Sequence, residues 1–117
     1  MPNALRIILA LLAGAIVAIL VVAGVEYAGH ATAQPDAAWV VAAFAPGFGA
    51  LVGGVLAILL ARWRYAGWVL AVILAALAAI NLMSFAHPQW FAPVVGIALV
   101  IGGWLATRIG LRTSAPR

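Results

Sequence analysis

From Ile7 to Val25 the chain runs through 19 residues without one charged or polar side chain. No element of a water-soluble fold needs so long an unbroken apolar stretch, whereas a hydrocarbon core about 30 Å thick takes roughly 20 such residues per helical crossing. Three further apolar runs follow, and the pattern predicts spans over 4–29, 37–61, 67–86 and 90–108 in a single domain, 1–117. The expected fold class is all-α: an integral membrane four-helix bundle. Arg6 ahead of an apolar core resembles a secretory signal, but such cores are usually about 7–15 residues long, so a retained helix is expected.

With 68% apolar and 7% charged residues and a mean hydropathy of +1.25, there is too little polar surface to coat a soluble globule. Cysteine is absent, which excludes disulfides, thiolate metal sites and a cysteine nucleophile. The net charge of +4 is not a nucleic-acid signal, because the arginines stand singly or in pairs at the ends of apolar runs.

In a four-span layout Arg6, Arg62, Arg64, Arg108, Arg112 and Arg117 all fall on one side, and the chain has no lysine. Arginine excess in short loops marks the cytoplasmic face, so both termini are expected inside a bacterial inner (cytoplasmic) membrane. The aromatic anchors agree, with Trp63, Trp68 and Trp104 near the inner surface and Trp39 and Trp90 near the outer one.

The polar residues have the opposite bias. Glu26 and His87 each come out about 30 Å from the inner boundary at 1.5 Å per residue, His30 about 6 Å further out and Asn81 about 9 Å deeper than His87. Every acidic residue and every histidine therefore sits at or beyond the outer face. Glu26 and His30, four apart in Val-Glu-Tyr-Ala-Gly-His, share a helix face if α-helix continues through Gly29. With His87 they make a two-histidine, one-carboxylate set suited to a divalent metal such as zinc, copper or nickel, or to iron(II), and two histidines from different helices suit haem. Each also has an ordinary structural role: Glu26 as a solvated interface residue, His87 before Pro88 as a helix end. Asn81, inside the hydrocarbon depth, needs a partner; interhelical hydrogen bonding or the floor of a small polar cavity opening outward would provide one.

Elsewhere, Asp36 is placed to cap the second helix, Pro46 to kink it, Pro93 to lie in the first turn of the fourth, and Gly110 to stop that helix ahead of a loose tail. Gly49 and Gly53 form a GxxxG pair, repeated by Ala50 and Gly54; such a face packs a helix of the same chain or forms a homodimer seam. Ser84 near His87 and Glu26 lacks an oxyanion hole, so hydrolysis is not the expectation. Four helices with hardly any polar interior also enclose no channel.

The sequence order Val-Glu-Tyr-Ala-Gly-His, then Gly-Ala-Leu-Val-Gly-Gly, then Asn81 with His87-Pro88-Gln-Trp90-Phe91, resembles a group of small bacterial four-helix membrane proteins of unknown function. That resemblance implies the architecture and the importance of Glu26, His30, Asn81, His87 and Trp90, and it brings no activity. The chain is also similar to the small multidrug resistance transporters in length, span count and a single glutamate in the first helix. It departs from them in placing Glu26 at the helix exit and in its one-sided arginines. The expectation is a binding or accessory protein carrying a metal ion, head group or small ligand at the outer face, within lipid and in a homo-oligomer or larger membrane complex. The alternative is a proton- or metal-coupled transporter.

Overall fold

A backbone in hydrocarbon has no water to bond to and must satisfy its own N–H and C=O groups, which leaves the helix as the form for each apolar run. The computed structural model describes residues 2–32, 35–84, 86 and 88–114, with backbone alone for Pro2, His30, Thr32, Pro35, Asp36, Thr113 and Ser114. It contains four helices: α1 (Pro2–Thr32), α2 (Pro35–Ala61), α3 (Ala66–Ser84) and α4 (Phe91–Ser114). Each holds a stretch long and apolar enough to cross a membrane, namely Asn3–Gly29, Ala37–Ala61, Ala66–Ser84 and Phe91–Arg112. The long dimension of 46 Å matches a bilayer of about 40–45 Å with its head groups.

Several boundaries differ from the sequence expectation, each for a local reason. Pro35 is the first residue of α2, where its missing N–H is an orphan in any case, so Asp36 lies within the first turn rather than ahead of it. Pro46 stands inside α2, which continues as helix on both sides. α3 ends at Ser84, two residues early, with the Ser84 hydroxyl donating to the Ile80 carbonyl at 3.0 Å. α4 does not stop at Gly110. It continues to Ser114, and no described glycine has a positive φ. Gly110 is there for closeness: a methyl group on it would lie 2.8 Å from Ile58 Cγ2. The residue that does take the left-handed conformation at a helix end is Arg62, with φ 55°, whose N–H donates to the Ile58 carbonyl at 2.9 Å and closes α2.

α2 is the centre of the bundle. It packs against all three other helices, α3 also touches α1 and α4, and α1 and α4 do not meet. Half of α2's apolar window is buried within the molecule against 17% of α1's, so α1 is the least enclosed of the four. Among the described residues the buried side chains are mostly alanines, and the largest fully buried ones are Ile58 and Leu70. Without bulky side chains to interlock, the helices associate by backbone approach, the mode that small residues permit in lipid.

Two crossings carry this. A Cβ on Gly53 would collide with the Gly14 carbonyl oxygen, and one on Gly14 would lie 2.7 Å from the Gly53 carbonyl oxygen, which fixes α1 against α2. On the opposite side, a Cβ on Gly102 would collide with the Gly47 carbonyl oxygen, which fixes α4 against α2. Gly49 faces Ala18 and Val22 of α1, and Gly54 faces Ala106 of α4. The GxxxG face is thus occupied within the chain on both sides.

Candidate functional site

The helices do not stay together along their whole length. α3 buries Ala66, Gly67, Leu70, Ala71 and Leu74, and nothing after Leu74. At Leu70 it touches the Gly14–Gly53 crossing; beyond Leu74 its side chains are exposed or half-buried, with Ala78 still packed against the core. Among the described residues α1 and α4 do not meet. The result is a cleft of about 800 Å³, in the size range of small-molecule sites. Its floor is at Leu74 and Val95, and its walls are drawn from all four helices.

Into this cleft the fold brings Glu26 of α1 and Asn81 of α3. Helical spacing explains both placements: Ala23 and Val22 lie one turn before Glu26 and also line the cleft, as Leu77 does one turn before Asn81. Glu26 is half-buried and Asn81 is exposed. The Asn81 side chain has no hydrogen-bond partner among the described residues, so the interhelical bond expected of it is not made with any of them. Ser84 is turned back onto its own helix by its bond to Ile80.

α1 continues as helix through Gly29 to Thr32, which puts His30 one turn beyond Glu26 on the same face. Gly29 allows this by close approach, since a Cβ there would meet Val41 Cγ1 at 2.7 Å. The His30 side chain and the whole of His87 lie outside the described residues, and with them two of the three expected metal donors and both expected haem ligands. Among the described residues no group of three metal-binding side chains occurs. The metal set therefore stands on sequence alone.

Sequence reasoning treated Trp39 as a membrane anchor and Pro46 as a kink, and both prove to line the cleft. Trp39 meets Phe91 edge to face, ring centroids 5.1 Å apart, which ties the start of α2 to the start of α4 beside the cleft. Pro46 has no N–H, so the carbonyl of Ala42 loses its usual i+4 donor, and Ala42 lines the cleft with it. The spacing of Trp39, Ala42 and Pro46 along one face of α2 was the available signal.

The other end of the molecule is basic. Arg62 and Arg64 line a shallow recess with Ile58, Leu59, Trp63 and Leu111, where the ends of α2 and α4 meet. Arg108 and Arg64 lie over the rings of Trp104 and Tyr65, each 5.2 Å from the centroid. Trp68 is turned onto Gly103 of α4, a Cβ on which would meet its ring at 3.1 Å. No protein-family model, no curated protein and no solved structure matches this chain.

Proposed function

We propose that this chain is a multi-pass protein of a bacterial cytoplasmic membrane, with both ends in the cytoplasm, whose role is to bind a small ligand or lipid head group in the cleft at its outer face. One observation carries this reading: Glu26 of α1 and Asn81 of α3 line the same cleft. Polar side chains at membrane depth are costly unless they serve a partner or a pathway, and these two are set in otherwise apolar walls. Docking to a larger complex through the glycine face has less support, because Gly49, Gly53 and Gly54 already meet α1 and α4.

The test is chemical identification of what remains bound after mild extraction, by native mass spectrometry of the wild type beside Ala23→Phe. Ala23 is exposed and lines the cleft, so a phenyl group there fills the site without entering the core. The expected result is a defined adduct, one per chain, that the variant loses while keeping the wild-type melting temperature. An adduct unchanged in the variant would remove the cleft as the binding site.

A further inference from the structure

The arginine end of the molecule carries a second site, apart from the cleft. We infer that the recess at Arg62 and Arg64 holds the head group of a net-anionic phospholipid, its phosphate at the two guanidinium groups and its acyl chains along Leu59 and Leu111. This takes from the reading above only the membrane itself, and it concerns the end away from Glu26, so it stands or falls separately from binding in the cleft.

A strained backbone raises the question. Arg62 has φ 55°, a left-handed conformation that brings Cβ against the following carbonyl and that glycine adopts freely. Closing α2 in this way needs the backbone alone, because it is the Arg62 N–H that donates to the Ile58 carbonyl at 2.9 Å. A glycine would close the helix without the strain. Strain of this kind points to a use for the side chain, and this side chain lines a recess of about 760 Å³. The rest of the turn is braced. Trp63 meets Tyr65 edge to face with centroids 6.1 Å apart, Arg64 lies over the Tyr65 ring at 5.2 Å, and the Ala66 N–H donates to the Trp63 carbonyl at 3.1 Å. A guanidinium over a ring uses its face and keeps its N–H edge for a phosphate.

Charge and depth define the occupant. The acidic residues of the chain are Glu26 and Asp36. Glu26 lines the cleft, and Asp36 is in the first turn of α2, about 39 Å of helical rise from Arg62. Arg108 and Arg112 of α4 add to the positive excess at the arginine end. A cluster of one sign with no acidic side chain at its level attracts an anion. The recess also has an apolar floor: Ile58 and Leu59 belong to the candidate span Ala37–Ala61, and Leu111 to Phe91–Arg112. Arg62 and Arg64 stand just past the end of that first span, at the level of lipid head groups. An anion held there has hydrocarbon beneath it, which suits a phospholipid and leaves the apolar floor unused by a free phosphate or an acidic peptide.

The experiment is native mass spectrometry and thermal unfolding of the full chain in neutral detergent, titrated with dioleoyl phosphatidylglycerol, dioleoyl phosphatidylcholine, inorganic phosphate and a polyglutamate peptide. Phosphatidylglycerol is expected to bind at one per chain, to raise the melting temperature, and to bind about tenfold more tightly than phosphatidylcholine, whose ammonium opposes the arginines. Arg62→Gly and Arg64→Gln are each expected to weaken it about tenfold, the loss of one charge-assisted contact. Arg62→Gly also relieves the strained backbone, so the lipid-free melting temperature should not fall. Arg6→Gln removes the same charge near the start of α1, outside the recess, and should change binding by less than about twofold. Unchanged binding in both recess variants, or equal weakening by Arg6→Gln, would overturn the site and leave surface charge alone. Equal binding of the two lipids would overturn the anionic head. Inorganic phosphate or polyglutamate binding as tightly as phosphatidylglycerol would overturn the lipid and assign the recess to a free anion or an acidic protein segment. Loss of phosphatidylglycerol in Ala23→Phe, with the recess variants unchanged, would move the lipid to the cleft.

Discussion

Through the middle of the bundle the helices meet backbone to backbone, at Gly14 with Gly53 and at Gly47 with Gly102, and the buried side chains are mostly alanines. Toward the acidic end α1 still meets α2 at Gly29 and Val41 and α4 meets it at Phe91 and Trp39, but α3 buries nothing beyond Leu74, and the cleft there holds a carboxylate, an amide and two aromatic rings. The difference lies in where small residues stand on facing surfaces. Along the lower half of α3, Gly67, Leu70 and Ala71 find α2 and α4, while Ala75, Ala76 and Ala79 higher up are exposed and find no helix to meet. Small residues permit approach only where the partner is small as well. One part is therefore closely packed, and the other holds the cleft.

The largest expected effect breaks the close-packed half. Gly53→Leu drives a side chain into the Gly14 carbonyl, Ala18 and Leu70, and is expected to cost about 2–3 kcal/mol and to release α1 from α2. Thermal unfolding in detergent followed by circular dichroism reads the loss, and an unchanged transition would mean that α1 is not docked at this crossing. In the open half, Asn81→Leu removes no hydrogen bond to a described residue, so stability should stay within about 0.5 kcal/mol. Retention of the bound adduct by the same variant should weaken by about threefold to tenfold, as expected for one lost hydrogen bond. A marked drop in melting temperature would place Asn81 among the structural residues. The smallest effect has the opposite sign. Gly24 and Gly96 have nothing within 4 Å of a built Cβ, so Gly24→Ala and Gly96→Ala should each raise stability by about 0.5–1 kcal/mol through helix propensity. Destabilisation by either would indicate a close neighbour, such as a second copy of the chain.

The number and rough extent of the helices were legible because hydropathy over about 20 residues is a direct consequence of bilayer thickness. The near end of α3, at Ala66, fell within one residue of expectation. Helix ends governed by single residues were less legible. Gly110 has the composition of a stop, yet its role is contact with Ile58, and whether a glycine caps or packs depends on a neighbour that local sequence does not reveal. Arg62, by contrast, takes the left-handed conformation that a glycine would have advertised. Of the outer residues, Glu26 and Asn81 were found from charge and depth, and the fold brings them to one cleft. Trp39, Ala42 and Pro46 were not found as a group, because their shared face acquires meaning only once the four helices are placed around the cleft. His87 and the His30 side chain lie outside the described residues, so the metal reading keeps the standing it had in the sequence.

The contrast within one helix offers the most direct test: hydrogen exchange along α3 of the protein in nanodiscs. The account predicts strong protection from Leu70 to Leu74 and faster exchange from Ala75 to Asn81, where the helix lines the cleft. Uniform protection along α3 would contradict it.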